Sequence, residues 1–325
     1  MSANAHLDGV LIEWGERLFY PRNRIVKSHT PQLQPHLHAT QDRAAAVRAR
    51  IEATVRRAPQ VMVKFTGGGR GMGAIAAHFR DISKGGRLDI EDDRGVVERG
   101  KDAVREIERQ WWQFGGARID QEGHRREAFN IMLSMPRGTD PLAVQHAARE
   151  FAKIEFAEHR YVMVLHEHQA NPHVHLSVKA ESKHGLRLNP RKADPQRWRE
   201  TFAERLRERG IDAEATRPAT RGEVRNRESL WRQRAQDEGR PQAHRPANKA
   251  GTATRLSRNE SLAAWKRIAM TLAHSDSLDD RKLARQIIEF VKDMPMLRKQ
   301  AAPTRDVLRS PAQPEQLRRG SEIER

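Results

Sequence analysis

"LHEHQANPHVHLSV" occupies residues 165–178 and holds four of the fifteen histidines of the chain. Val174, Leu176 and Val178 alternate with His173, His175 and Ser177, the period-two pattern of a strand with one buried face. Side chains two apart on a strand project from the same face, so His173 and His175 stand together. His166 closes a preceding apolar run, "YVMVL" (161–165), and the six-residue connection "EHQANP" lets the two runs pair antiparallel. That pairing brings His166 across from His173, with Cβ atoms about 5 Å apart. The stretch is thus expected to be a hairpin bearing three convergent imidazoles. His168 falls in the turn and is left out of the set.

Two readings of the hairpin stand: a polar cluster on a solvated sheet face, or a metal site. The chain has no cysteine, so any metal must rest on imidazole and carboxylate donors. A structural zinc is normally closed by four ligands; three histidines leave positions open, which favours catalysis or phosphate binding.

Further apolar runs, "VMVKF" (61–65) and "FNIMLSM" (129–135), read as strands. Helical periodicity marks "MGAIAAHF" (72–79), "GKDAVREIERQWWQF" (100–114), "PLAVQHAAREFAKIEFAE" (141–158) and "DPQRWRETFAERLRERG" (194–210). Strands mixed with helices and joined by a tight hairpin predict an α/β two-layer sandwich with a mainly antiparallel sheet, flanked by helical N- and C-terminal segments. The expected divisions are an N-terminal extension with a basic helix (1–58), the sheet domain (59–222), a basic linker (223–260), a helical segment (261–297) and a disordered basic tail (298–325).

Sixty Lys and Arg against forty-three Asp and Glu leave a net charge of +17. That excess is too large for an ordinary enzyme of small metabolites and points to a polyanion, nucleic acid before membrane. No apolar run approaches the roughly 18 residues needed to cross a bilayer, and no secretory pattern opens the chain. A soluble, cytoplasmic protein without membrane insertion is the expectation.

The hairpin, written H-x-x-x-x-x-P-H-V-H-L after an apolar strand, resembles the third motif of the relaxases, the HUH-type mobilisation nucleases that begin conjugative DNA transfer. "FNIMLSMPRGTDP" (129–141) resembles their second motif, and "KFTGGGRGMGAIAAHFRDISKGGRLDIED" (64–92) the first, a strand and glycine-rich turn leading into the nucleophile helix. "RLNPRKADPQRWRETFAERLRERGIDAEATR" (187–217) is similar to the segment after the histidines. The resemblance spans about 59–222 and is to the branch that holds plasmid mobilisation proteins and the T-DNA border endonuclease. It implies metal-dependent nicking and strand transfer on single-stranded DNA at an origin of transfer. Mg²⁺ or Mn²⁺ would be held by His166, His173 and His175. Relaxosome accessory proteins and a type IV coupling protein are the implied partners, with an export signal in the basic tail.

In that family a tyrosine attacks the scissile phosphate, and the pattern puts it just before "ISKGGRLDI". Here Asp81 holds that position. The two tyrosines of the chain, Tyr20 and Tyr161, lie elsewhere. A carboxylate nucleophile would yield an acyl phosphate, which water cleaves, so strand transfer and religation would suffer. The resemblance also implies DNA contacts at Ser134, at Arg70 beside the glycines, and at Lys84, Arg87, Arg191 and Lys192. Glu167 and Asn171 are candidates to orient the ligand histidines, with Glu127 behind them. "TGGGRGMG" (66–73) lacks the spacing of a nucleotide-binding phosphate loop. Trp111 and Trp112 could stack on bases, although neighbouring aromatics on a helix usually place one in the core. Two other classes remain open: a non-catalytic single-stranded DNA-binding or relaxosome accessory module, and a metallohydrolase of small substrates.

Overall fold

The computed structural model describes residues 3–19, 40–113, 117–168, 170–191, 194–223 and 252–297. Each of the four expected apolar runs becomes a strand: β1 (Met62–Gly67), and then, after two short strands β2 (Ile90–Asp92) and β3 (Val97–Glu98), β4 (Ala128–Ser134), β5 (His159–His166) and β6 (His173–Ser182). They form one six-stranded sheet in the order β1-β4-β6-β5-β2-β3, with each neighbouring pair antiparallel. β2 and β3 had no counterpart in the sequence reading, since strands of three and two residues are too short to display a period.

Strand alternation divides the sheet into two buried faces. Val174, Leu176 and Val178 of β6 join Ile131, Leu133, Tyr161 and Met163 beneath α5 (Pro141–Glu155) and α6 (Asp194–Arg207). The opposite parity, Ala128, Val162 and Val164, packs with α3 (Met72–Ile82) and α4 (Lys101–Gln113). The mixed α/β class with an antiparallel sheet is as predicted, and helices cover both of its faces.

The helices are specified locally. Asp140 caps α5, its carboxylate accepting from the Leu142 and Ala143 amides at 3.1 Å, with Pro141 in the first turn. Val144, Ala147, Ala148 and Phe151 then recur at helical spacing and are buried. In α3 the same spacing buries Met72, Ile75, Ala76, Phe79 and Ile82, and Phe79 meets Trp111 of α4 edge to face at 4.8 Å.

The flanks meet each other. α1 (Ala3–Phe19) and α2 (Thr40–Val55) pack with α7 (Thr252–Ala273) and α8 (Leu278–Lys292) around Leu11, Leu18, Ile51, Trp265, Ile268 and Ile287. α7 and α8 lie largely within the segment expected to be helical (261–297), and α7 begins inside the stretch expected to be linker. α1 went unread. This helical body is fastened to the sheet domain through the Leu18 carbonyl, which accepts from Arg217 Nη2 (3.0 Å) and Thr220 Oγ1 (2.7 Å). The Trp265 indole donates in turn to the Thr220 carbonyl at 2.8 Å. The Pro- and His-rich loop (30–38), Tyr20, Lys192, most of the expected linker and the tail from 298 lie outside the described residues.

Candidate metal centre

The hairpin register is the one that the sequence implies: His166 pairs with His173, and on the other side of β6 His173 pairs with Ser134 of β4. His166 shares parity with Val162 and Val164, so the three imidazoles emerge on the face covered by α3 and α4. His166, His173 and His175 each offer a ring nitrogen, and these atoms lie within 4.8 Å of one another. Their ring centroids are 4.6 to 5.0 Å apart. Such a set could hold one metal ion.

The proton positions suit that task. His166 Nε2 lies 2.6 Å from the Ile82 carbonyl oxygen, and His173 Nδ1 lies 2.9 Å from the Asn171 carbonyl oxygen. A carbonyl only accepts, so those nitrogens carry the protons, which leaves lone pairs on His166 Nδ1 and His173 Nε2. His166 Nδ1 and His175 Nδ1 are buried without a hydrogen-bond partner. Burial holds the His166 imidazole below its ordinary pKa and brings that of His175 down to about 3, with the neighbouring imidazoles and Lys84 adding to the effect. Neutral imidazoles with orphaned lone pairs are what a cation requires.

The end of α3 abuts this cluster through the Ile82 carbonyl. Asp81, the residue before it, is exposed, and its charge acts on His78 one helical turn earlier. The His78 ring sits 6.5 Å from that of His175, and its Nε2 is buried with no partner. Burial lowers the His78 pKa, opposed in part by Asp81. His78 was missed from sequence; the available signal was its i, i+3 relation to Asp81 on one helix face. After Ile82 the chain turns sharply: Lys84 has a φ of 54°, followed by Gly85 at 69° and Gly86 at 84°. A Cβ on Gly86 would meet the Gly100 carbonyl oxygen at 2.5 Å, so glycine is required there.

The other candidates are distributed unevenly. Ser134 is buried beside His173, and its hydroxyl donates to the Pro172 carbonyl at 3.2 Å; it props the hairpin. Asn171 orients His173 through its backbone carbonyl. Glu167 and His168 are exposed in the turn, with the His168 ring 5.1 Å from that of His166. Glu127 binds Arg125 and Arg187 at the far end of β4, away from the histidines. Arg70 is exposed at that same far end, where the Gly69 carbonyl pairs with the amides of Glu127 and Ala128. Two amides of the glycine turn are engaged within the fold: Met72 and Gly73 donate to the carbonyls of Asp120 and Gln121. Gly71, at φ 89°, lets that contact form: a Cβ there would lie 2.5 Å from the Gln121 carbonyl oxygen. Lys84, Arg87 and Arg191 sit in loops, the two arginines exposed. Trp111 is core, while Trp112 stacks with Arg118 at 4.0 Å. Tyr161 is buried on the α5 and α6 face, opposite the histidines, and burial with nearby carboxylates pushes its phenol up to about 12.

Residues 84–211 match the family model of relaxases described as MobA/VirD2-like, nuclease domain. The matched segment contains the histidine hairpin and starts three residues after Asp81. Among individual proteins, the T-DNA border endonuclease VirD2 of Agrobacterium fabrum is 26% identical over 182 residues, covering 50% of this chain and 41% of that protein. The chain therefore spans about two fifths of that relative's length. A solved structure described as "Molecular Basis of Vancomycin Resistance Transfer in Staphylococcus aureus" is 15% identical, covers 49% of this chain and 99% of its own, and superposes with a TM-score of 0.30.

Proposed function

We propose that this chain is a relaxase-like protein that binds single-stranded DNA at an origin of transfer, with a divalent cation on His166, His173 and His175. The observation that carries the reading is the set of three convergent imidazoles, two of them (His166 and His173) oriented by backbone carbonyls, beside the last turn of α3. An all-imidazole donor set suits Mn²⁺, Zn²⁺ or Ni²⁺, and the family resemblance favours Mg²⁺ or Mn²⁺. A bound cation supplies Lewis-acid polarisation of a non-bridging phosphate oxygen. Lys84, Arg87 and Arg191 neutralise neighbouring phosphates, and Ser134 keeps the hairpin in register.

Asp81 occupies the position of the expected tyrosine. The chain as written therefore binds origin DNA and forms no stable covalent adduct. The test is incubation of labelled origin-type oligonucleotides with Mn²⁺ and either the natural chain or Asp81→Tyr, followed by a denaturing gel. The tyrosine variant should yield a protein–DNA adduct that is lost in the Asp81→Tyr, His173→Ala double variant. An Asp81→Tyr chain that stays inert with metal and DNA bound would favour the second reading, a non-catalytic DNA-binding or accessory module. The exposed carboxylate of Asp81 is the observation behind that alternative.

A further inference from the structure

The edge strand β1 has two unlike faces. Val63, with Val61 just before the strand, is buried in the cluster under α5 and α6, whereas Met62, Lys64 and Thr66 are exposed, Met62 to 42%. The register carries this exposed face to the metal centre. Met62 pairs with Ser134, which pairs with His173; Lys64 pairs with Met132, which pairs with His175. Directly opposed residues share a face of the sheet, so both rows lie on the histidine side. Lys64 stands two strand spacings, about 10 Å, from His175. α3 and α4 leave this half of the face open: among the described residues, the cluster beneath them takes Ala128 from β4 and nothing from β1. Met132 is half-buried, and as diagonal neighbours across β1 and β4 the two methionines come within reach of each other. The Lys64 ammonium has no hydrogen bond or ion pair among the described residues. The Ser134 hydroxyl, in the same row as Met62, donates to the Pro172 carbonyl. The platform beside the triad is thus two thioethers and one unpaired cation.

We infer that this open half-face seats one unpaired nucleotide next to the metal centre, its base packed on Met62 and Met132 and its phosphate on Lys64, whatever the base. The inference rests on the functional reading above, in that it takes the triad as the place where a DNA phosphate binds. Polarisable thioethers pack favourably against aromatic rings and adapt to rings of different shape. Only an unpaired base has a face to offer, since within a duplex both faces are stacked. A lysine contact to phosphate holds the strand without reading its sequence, and a thioether reads no base edge. The occupant is a nucleic-acid strand and not an apolar peptide, because the cation borders the apolar patch and the chain as a whole carries +17.

The experiment uses the full chain with Mn²⁺, its methionine methyls labelled with ¹³C, and single strands of equal length: oligothymidylate, oligodeoxyadenylate and an abasic strand. The Met62 and Met132 methyl signals, assigned from Met62→Leu and Met132→Leu, should move upfield under the ring current of a base with both base-bearing strands. They should stay in place with the abasic strand and with the duplex of the other two. Met62→Ala combined with Met132→Ala should weaken binding of both base-bearing strands about 3- to 10-fold, with the abasic strand and Mn²⁺ bound as by the natural chain. Lys64→Gln, a change at an exposed side chain, should weaken all three strands and make the salt slope shallower by about 0.7. Methyl signals that move with no strand, that move equally with the abasic strand, or that respond to one homopolymer alone or to the duplex would each overturn the inference. So would an unchanged salt slope in Lys64→Gln. In all of these cases a chain that still binds single strands leaves the functional reading standing. A chain that binds none of them removes that reading, and the inference with it.

Discussion

His166 Nε2 donates to the carbonyl oxygen of Ile82 across 2.6 Å, which ties the histidine hairpin to the last turn of α3. The bond acts in two ways. It commits the His166 proton to Nε2 and leaves Nδ1 as the donor atom for a cation. It also uses one of the carbonyls that a helix leaves unpaired at its C-terminal end, so α3 ends with the Ile82 carbonyl against the cluster and the His78 ring beside that of His175.

Metal binding should depend on three histidines and not on a fourth. Replacing His166, His173 or His175 with Ala should weaken Mn²⁺ binding at least about tenfold, the low end of what even an orienting partner contributes. His168→Ala, in the exposed turn, should cost little. Titration calorimetry of the four variants checks this, and equal losses at His168 and His166 would defeat the assignment.

DNA binding should fall steeply with salt. Each phosphate neutralised on a single strand contributes a slope of about −0.7 in log K against log salt. Fluorescence anisotropy with a single-stranded oligonucleotide between 50 and 200 mM salt, an interval chosen on the order of common practice, should give a clearly negative slope. A flat profile would remove the argument from the charge of +17.

Ser134→Ala should act first on stability. The buried hydroxyl donates to the Pro172 carbonyl just before His173. Its removal should cost about 0.5–1.5 kcal/mol in chemical denaturation, with metal affinity falling only as far as the hairpin loosens. An unchanged unfolding midpoint with lost DNA affinity would instead make Ser134 a direct DNA contact.

Tyr161 should titrate late. Burial raises its phenol to about 12, above the ordinary value of 10.0, so the folded state keeps a proton that the unfolded state gives up. The stabilisation is therefore full below pH about 10 and lost as pH rises through about 12. Absorbance at about 295 nm should resolve an upper phenolate step that vanishes in Tyr161→Phe. A Tyr161 that ionises near 10 would contradict its burial on the α5 and α6 face.

Local pattern determined a good deal of this protein. The alternation in 173–178 set the strand, its register and the shared face of His173 and His175, because side-chain direction on a strand is a property of the backbone. Helical periodicity determined α3 to α6 in the same way. Tertiary structure decided which helix covers the histidine face, since that follows from the packing of Phe79 against Trp111 and of Ile82 against the sheet, contacts between segments far apart in sequence. It decided that the His78 ring lies 6.5 Å from that of His175, that the Ser134 hydroxyl and the Met72 and Gly73 amides bond within the fold, and that Tyr161 lies on the opposite face. It also joined α1 and α2 to α7 and α8, a union of chain ends that no local pattern records, because the apolar stripe of a helix specifies that it will be buried and not what will bury it.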